Sequence, residues 1–380
     1  MLQIALAISV ATFFTGCANA GDKVTFPTAT APLGAQPSDP AATTVSPGST
    51  TAAASTSPAT ATIATGLPVP WGVAFLPGGA ALVTLRDQGE VLYVTAGARP
   101  VSVGHVPGVQ PEGEGGLLGI AVSPTFASDR AVFAYLTSAD DNRVLRMTFD
   151  GTRLRAGPVI VKGIAKADHH NGGQLAFGPD GFLYIATGDA GQRPLAQDKA
   201  SLNGKILRVT TAGAPAPGNP FPGSRVWTLG HRNVQGLAWD RTGNMYASEF
   251  GQNTWDELNH IVPGRNYGWP VVEGIGRRAG FTDPIQQWPT ADASPSGIAV
   301  GADGAVYMAA LRGESLWRIP LNGNGEADAP RRLLQGTYGR LRSVASAPDG
   351  RLWLVTSNTF RGTPNPDDDR ILALRLPVQQ

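Results

Sequence analysis

The chain is poor in cysteine and in charged residues, and both shortages narrow its class. Its 380 residues include one cysteine, so no intramolecular disulfide can form, and the fold must be held by its core or by metal. Basic and acidic residues nearly balance, at 30 and 29, and no long basic run could follow a phosphate backbone. Long periodic runs of helix formers are scarce, whereas Gly and Pro number 48 and 31. The composition argues against a nucleic-acid partner and favours an all-β fold.

The first 20 residues form an apolar run that ends in small residues and is too short for a stable membrane anchor. Within it, the segment FTGC at residues 14–17 resembles the bacterial lipoprotein box, in which the lipidated cysteine becomes the first mature residue. The segment ANA at residues 18–20 also permits ordinary signal cleavage. We predict an export signal over residues 1–20 with a lipobox at Cys17. The protein is then extracytoplasmic, either as a membrane lipoprotein or as a secreted protein.

Residues 21–65 are dominated by Ala, Thr, Ser and Pro and contain few large apolar side chains. Such a segment cannot bury enough apolar surface to fold alone. We predict a disordered tether that would hold the folded part, residues 66–378, away from the membrane. Contact with the membrane would then be made only through the lipid anchor.

One phrase recurs six times along the rest of the chain. It reads WGVAFLPGG, LGIAVSPTF, GQLAFGPDG, QGLAWDRTG, SGIAVGADG and RSVASAPDG, beginning at residues 71, 118, 173, 235, 296 and 342. Each copy is a short apolar strand that ends in a turn, and a second strand follows, such as FLYIAT or RLWLVT. Repeats of this kind are typical of propeller blades with four antiparallel strands. The sequence therefore predicts a six-bladed β-propeller.

Radial stacking explains why such a repeat folds as a closed ring. One blade has two apolar faces that it cannot bury alone, and its neighbours cover both. A β-sandwich or two small barrels would be the alternative, but those folds do not repeat a strand–turn–strand phrase at this spacing. In a propeller the loops between blades surround one mouth of the central channel. Polar residues beside the repeated phrase should therefore converge there.

The residues beside the phrase form a narrow chemical set. They include tandem histidines before the third blade, the GHRN segment before the fourth, several arginines and the oxygen-rich loop EFGQNTWDE. Guanidinium groups bind planar oxygen pairs, a neutral imidazole accepts a proton from a hydroxyl, and backbone carbonyls suit calcium. Singly, each residue could cap a turn or pair at a strand edge. Together they indicate oxidation of an alcohol with a bound acidic cofactor.

The region from about residue 66 to residue 376 resembles the soluble pyrroloquinoline quinone (PQQ)-dependent sugar dehydrogenases, the glucose/sorbosone or aldose sugar dehydrogenase family. The motifs that carry the resemblance are GEGGLLGIA, HNGGQLAFGPDG, LGHRNVQGLAW, EFGQNTWDELN, NYGWP and GRLRSV, in this order. The resemblance implies an oxidoreductase that uses PQQ and Ca²⁺. It would oxidise an aldose at the anomeric carbon to the lactone and pass electrons to an external acceptor.

The resemblance also implies roles for individual residues. His170 would be the catalytic base, which takes the proton of the anomeric hydroxyl while a hydride passes to the quinone. Arg232 would stabilise the oxyanion that develops on the cofactor, and Asn233 would help to hold it, with His231 packed behind. The other implied cofactor contacts are Glu114, Arg312, Arg340 and Arg342.

Two calcium sites are implied in the same way. The main-chain carbonyls of Gly251 and Gln252 would bind a calcium ion that bridges to PQQ, and Glu257 with Tyr267 would form a second, structural site. One departure from the family pattern concerns the base. Well-known members have an orienting Asp directly before the catalytic histidine, whereas this chain has His169 there, with Asp168 one position further away.

Two other functions are compatible with a propeller. A non-catalytic propeller that binds a glycan or a partner protein would need neither His170 nor the arginines. A lactonase-type hydrolase would use carboxylates and a coordinated water, which gives no reason for Arg340 beside Arg342. A dehydrogenase explains both the presence of His170 and the pair of arginines at positions 340 and 342.

Overall fold

The computed structural model describes residues 59–376. The predicted export signal with Cys17, most of the predicted tether and residues 377–380 lie outside the described residues. Within residues 59–376 there are 24 β-strands, a single-turn α-helix, α1 (Phe126–Asp129), and a 3₁₀ helix (Arg193–Ala196). No helix in this part of the chain has the length and apolarity needed to cross a bilayer.

The strands form six four-stranded antiparallel sheets, which confirms the predicted six-bladed propeller. A first strand, β1 (Thr60–Ala64), precedes blade one. Blade one contains β2 (Pro70–Phe75), β3 (Ala81–Leu85), β4 (Glu90–Val94) and β5 (Val101–His105). Blade two contains β6 (Leu117–Val122), β7 (Ala131–Thr137), β8 (Asn142–Phe149) and β9 (Leu154–Ile164). Blade three contains β10 (Leu175–Phe177), β11 (Leu183–Ala186), β12 (Lys205–Val209) and β13 (Val226–Leu229).

The remaining blades follow the same order. Blade four contains β14 (Val234–Trp239), β15 (Met245–Glu249), β16 (Trp255–Ile261) and β17 (Gln286–Pro289). Blade five contains β18 (Pro295–Val300), β19 (Val306–Ala310), β20 (Ser315–Ile319) and β21 (Arg331–Leu333). Blade six contains β22 (Leu341–Ser346), β23 (Leu352–Thr356) and β24 (Ile371–Leu374), and β1 is its fourth strand.

The repeated phrase supplies the innermost strand of each blade. The six strands β2, β6, β10, β14, β18 and β22 contact one another in sequence order, and β22 contacts β2, so the ring is closed. The second strand of each blade pairs antiparallel with the first across the segment that connects them. This arrangement places the loops that lead into each first strand around one end of the central channel.

The core consists of six apolar layers, each between neighbouring blades. One layer joins Phe133 and Tyr135 of blade two to Ile185 and Leu207 of blade three, and these side chains are almost fully buried. Equivalent clusters lie between the other five pairs of blades. Both faces of each sheet are therefore covered, as the stacking argument requires.

The propeller is closed by a strand from the region predicted to be disordered. Strand β1 pairs antiparallel with β24, in register Thr60 with Leu374. Ile63 and Ala64 are buried in the layer between blades six and one. The folded part thus includes Thr60–Ala64, which the sequence assigned to the tether. The sequence did not indicate this strand because its apolar content is low. An edge strand that buries only two side chains needs few hydrophobic residues.

Candidate active site

A cavity of about 240 Å³ lies at the mouth of the central channel. Its wall carries five arginines and one glutamate, so its charge is strongly positive. Six of the residues predicted from the sequence line it, namely Glu114, His170, Arg232, Gly251, Arg340 and Arg342. Residues far apart in the chain are thus brought to one cavity, as the blade equivalence predicts. A second cavity of about 220 Å³ adjoins it, and His170 and Arg232 line both.

His170 is hydrogen-bonded to a carboxylate that no sequence motif indicated. Its Nδ1 lies 2.7 Å from Oδ1 of Asp189, which is 0 % exposed, whereas the His170 side chain is 13 % exposed. Although burial alone would raise the pKa of Asp189, hydrogen bonds from His170, from Nε1 of Trp269 and from the amide of Gly191 bring it below its usual value. An ionised carboxylate only accepts hydrogen bonds, so Nδ1 carries the proton and Nε2 is free to accept one.

The backbone around His170 is shaped for this contact. His170 has φ of +55°, in the left-handed region, and its carbonyl accepts a hydrogen bond from the amide of Ala190. A Cβ atom on Gly188 would lie 1.8 Å from that same carbonyl, so only glycine fits there. The turn that carries Asp189 is therefore pressed directly against the histidine segment.

The two residues directly before His170, Asp168 and His169, contact each other. Asp168 is hydrogen-bonded to Nδ1 of His169, and the two histidine rings meet edge to face at 4.3 Å. The Asp168 side chain is largely exposed. Asp189, rather than Asp168 or His169, therefore makes the contact that orients His170.

In the GHRN segment, Arg232 lines the cavity, whereas His231 and Asn233 are buried behind it. His231 is fully buried, with Nδ1 2.7 Å from Oε2 of Glu249 and its ring stacked on Tyr267 at 4.8 Å, so it does lie behind the cavity. Arg232 lines the cavity and donates to the carbonyl of Phe250 at 3.2 Å. Asn233 is buried and does not line the cavity, and its Oδ1 accepts from the amide of Gly172 at 3.0 Å.

Arg340 and Arg342 both reach the cavity, as their alternation along an extended segment predicts. Arg342 lies over the ring of Trp71 at 4.5 Å and donates to Oε1 of Gln235. Burial lowers the pKa of Arg342 to about 9, so its guanidinium keeps its charge at neutral pH. Burial and the neighbouring charge of Arg361 lower the pKa of Arg340 as well.

Two further arginines line the cavity. Arg86 is paired with Asp87 at 2.6 Å and lies 3.6 Å from the ring centre of Phe360. Arg361 bonds Oε1 of Glu114 at 2.9 Å, while Oε2 of Glu114 accepts from the amide of His170 at 3.2 Å. Glu114 therefore links the base to the arginine wall.

Arg312 does not belong to this wall. It is exposed in the turn after β19 and is absent from the lining of the cavity, which is reached instead by its neighbour Leu311. Of these two adjacent turn residues, Leu311 is buried and lines the cavity, whereas Arg312 is exposed to solvent. Equivalent blade position alone could not distinguish the two.

The loop after β15 is organised around one carboxylate oxygen. Oε1 of Glu273 accepts hydrogen bonds from four consecutive amides, those of Gln252, Asn253, Thr254 and Trp255, at 2.8 to 3.3 Å. The amide of Gly251 donates to Asp256 at 2.9 Å. Gly251 lines the first cavity and Gln252 the second, so this loop borders both.

The residues of the predicted second calcium site are buried below the mouth. Burial and the charge of Glu249 raise the pKa of Glu257, whose oxygens accept from the amide of Gly274 and from Asn259. The hydroxyl of Tyr267 donates to the carbonyl of His260 at 2.6 Å and accepts from an amide, so only its main-chain carbonyl is left for a cation. Within residues 59–376, no three His, Cys, Asp or Glu side chains form a metal cluster. Carbonyl oxygens would have to complete either site.

The site residues that no sequence motif indicated lie at the ends of the second strands of their blades. Arg86 follows the second strand of blade one directly, Ser357 follows that of blade six, and Asp189 lies three residues after that of blade three. The sequence motifs indicated the segments after the second strands of blades four and five, which carry Gly251 and Arg312, but not those of blades one, three and six. The ends of the second strands open at the same mouth, so a polar residue there was the available signal.

A propeller whose mouth combines a carboxylate-oriented histidine with an arginine-lined cavity defines a class of enzymes that bind an anionic ligand beside a base. The Glucose / Sorbosone dehydrogenase family model matches residues 67–362, and the chain belongs to this family. The resemblance seen in the sequence is thereby confirmed.

Solved and curated relatives agree with this placement. A structure of the PQQ-bound form of an aldose sugar dehydrogenase from Streptomyces coelicolor is 57 % identical, with a TM-score of 0.80, and the match covers 83 % of this chain and 96 % of that one. Aldose sugar dehydrogenase YliI of Escherichia coli is 31 % identical over 76 % of this chain and 87 % of its own length. Quinoprotein glucose dehydrogenase B of Acinetobacter calcoaceticus is 33 % identical over 56 % of this chain and 51 % of its own length.

Proposed function

We propose that the protein is a PQQ- and calcium-dependent dehydrogenase that oxidises an aldose at the anomeric carbon to the lactone. The observation that carries the proposal is the pair formed by His170 and buried Asp189 beside a cavity lined by arginines. A glycan-binding propeller would have no use for an oriented base. The names of the relatives, an aldose sugar dehydrogenase with bound PQQ and a quinoprotein, support the same chemistry.

The residues of the cavity fit PQQ, which is a planar quinone with several carboxylates. Four of its arginines, Arg86, Arg232, Arg340 and Arg342, are at least half-buried and can pair with carboxylate or quinone oxygens. Of the cavity-lining arginines, Arg232 and Arg340 each have a buried Nε without a hydrogen-bond partner within residues 59–376. Buried donors without partners are costly, so a bound acceptor at these positions would stabilise the site.

Calcium fits less completely, through main-chain oxygens. Neither the carbonyl of Gly251 nor that of Gln252 accepts a hydrogen bond within the described part of the chain. Free carbonyls beside an anionic cofactor are suitable ligands for a hard cation. When bound, PQQ would supply the hydride acceptor and calcium a Lewis acid beside it.

The chain's own residues perform the proton transfer in this proposal. Nε2 of His170 takes the proton of the anomeric hydroxyl, because Asp189 keeps the other ring nitrogen protonated. The imidazolium that results lies against the buried carboxylate, which stabilises its charge. Arg232 lines both cavities and would supply positive charge to stabilise a bound anionic acceptor.

The test is a titration of purified apoprotein with PQQ and calcium, followed by reduction of an artificial electron acceptor with a panel of aldoses. We expect activity that needs both additions, and we expect His170→Ala to reduce kcat by about 10²- to 10⁴-fold while it keeps PQQ binding. Product analysis should identify the lactone.

Other outcomes would select other functions. A protein that binds no PQQ would favour the glycan- or partner-binding propeller, and hydrolysis of lactones without an acceptor would favour the lactonase. Activity undiminished in His170→Ala would reject the assigned base.

We also propose that the protein is exported and anchored through a lipid at Cys17, and that it passes electrons to an external acceptor outside the cytoplasm. The support is the lipobox-like FTGC segment followed by a polar tether. Labelling of cells with a fatty-acid analogue should mark the wild type and not Cys17→Ser. Release of unlabelled wild type into the medium would favour secretion instead.

A further inference from the structure

We infer that Glu273 is a positioning residue that aims the carbonyls of Gly251 and Gln252 at the bound cation. This inference rests on the proposed function, which places calcium at those carbonyls. One oxygen of Glu273 accepts four consecutive amides of the loop, and Glu273 itself lines neither cavity. Its hydrogen bonds reach the site through the backbone that it holds.

Peptide geometry connects the amides to the carbonyls. In a trans peptide the N–H and the preceding C=O point in opposite directions from one plane. The amides of Gln252 and Asn253 point at Glu273, so the carbonyls of Gly251 and Gln252, which belong to the same two peptides, point away from it. Both carbonyls are without a hydrogen-bond donor within residues 59–376.

Both carbonyls belong to residues that line the cavities. Gly251 lines the arginine-rich cavity, and Gln252 lines the adjoining one. A concave run of amides around an anion is a recognised nest, and here the anion is an internal carboxylate. The loop is therefore locked from one side by Glu273 and presents a fixed pair of oxygens on the other.

Glycine at position 251 makes the arrangement possible. A Cβ atom there would lie 1.8 Å from the carbonyl of Trp255 and 2.8 Å from Oε1 of Glu273. The loop can close around the carboxylate only because that atom is missing. The charge of Glu273 also lies near Arg232, whose positive charge it partly balances.

The experiment measures PQQ binding by quenching of tryptophan fluorescence while the calcium concentration is varied, so it does not depend on turnover. We expect Glu273→Ala to raise the half-saturating calcium concentration by about 10- to 100-fold, since residues that orient metal ligands have effects of this size. At saturating calcium PQQ binding should recover. Glu273→Gln, which keeps one acceptor oxygen and loses the charge, should give a smaller shift in the same direction.

Asp283→Asn is the matched control. Asp283 accepts the amides of Gly276 and Arg277 at 3.1 Å in a nearby loop that lines neither cavity, so its loss should leave the calcium dependence unchanged. Equal half-saturation in wild type and both Glu273 variants would overturn the inference and leave the proposed function standing. A wild type that binds PQQ without calcium, or not at all, would overturn both. If Glu273→Ala fails to fold, Glu273→Gln decides between these outcomes.

Discussion

At the scale of the residue, Asp189 determines which nitrogen of His170 can act as a base. The carboxylate is fully buried and accepts hydrogen bonds from the imidazole, an indole and an amide. Three donors on one carboxylate fix its position as well as its charge. By contrast Asp168, beside the tandem histidines, lies in solvent and bonds His169.

The variant Asp189→Asn should reduce kcat by about 10²- to 10⁴-fold, because an amide in this place can stabilise the wrong tautomer of His170 and no longer stabilises the imidazolium. Asp189 does not line the first cavity, so the affinity for PQQ should stay within a few-fold of the wild type. Steady-state kinetics and PQQ titration check the two expectations separately.

Asp168→Asn serves as the control and should leave kcat within a few-fold of the wild type. If instead Asp168→Asn removed activity and Asp189→Asn did not, the orienting role would belong to the residues before the histidine. That result would require the loop to rearrange when ligands bind.

At the scale of the element, β1 closes the ring. Every other blade is built from one continuous stretch of chain, whereas blade six takes its fourth strand from the N-terminal side of the propeller. Ile63 and Ala64 fill the layer between blades six and one. Without β1, the edge of β24 and this layer would both be open to water.

Two truncations separate the tether from the fold. Removal of residues 1–58 should leave the melting temperature unchanged, since the sequence predicts an export signal and a disordered tether there and β1 (Thr60–Ala64) is kept. Removal of residues 1–65 should destabilise the protein by about 2 to 4 kcal/mol, through exposure of Ile63 and Ala64 and loss of the β1–β24 hydrogen bonds. Urea unfolding of the two products measures the difference, and equal stabilities would place β1 outside the cooperative fold.

At the scale of the whole molecule, the site is built on a charge imbalance. The wall of the cavity is positive, while Glu249, Glu257 and Glu273 lie behind it and act on one another. Burial and the charge of Glu249 raise the pKa of Glu257. The Glu257 carboxyl therefore stays protonated to a higher pH in the folded protein than in the unfolded chain, where a glutamate titrates near 4.3.

The sign of the pH dependence follows from that difference. As the pH rises above about 4.3, the unfolded state loses the proton first, so the free energy of unfolding of the apoprotein falls until the folded state is deprotonated too. A calcium ion bound beside these carboxylates would offset this fall in the free energy of unfolding. We expect calcium to raise the melting temperature, in comparison with EGTA, more at about pH 8 than at about pH 5.5.

Glu257→Gln tests the assignment by thermal unfolding. Without calcium the variant should be more stable than the wild type at about pH 8, and it should lose most of the stabilisation by calcium. The exposed Glu326→Gln should behave as the wild type. A calcium response retained in full by Glu257→Gln would show that the ion binds elsewhere.

The sequence by itself determined the architecture and most of the cavity. The strand phrase repeats because each blade must present the same apolar strand to the channel, and a repeat is visible without any coordinates. The same periodicity placed Glu114, His170, Arg232, Arg340 and Arg342 at one mouth, and all five line the cavity. Family motifs then assigned their chemistry.

Only the tertiary structure decided which side chains contact one another. Asp189 hydrogen-bonds His170, and Leu311 lines the cavity where Arg312 was expected. Glu273 accepts hydrogen bonds from the amides of a loop 18 to 21 residues before it in the chain. Strand β1 gained its partner from the opposite end of the chain. The physical reason is common to all four. Periodicity fixes the position of a residue in its blade, whereas contacts between loops depend on backbone direction and the space left by neighbours, which no local pattern encodes.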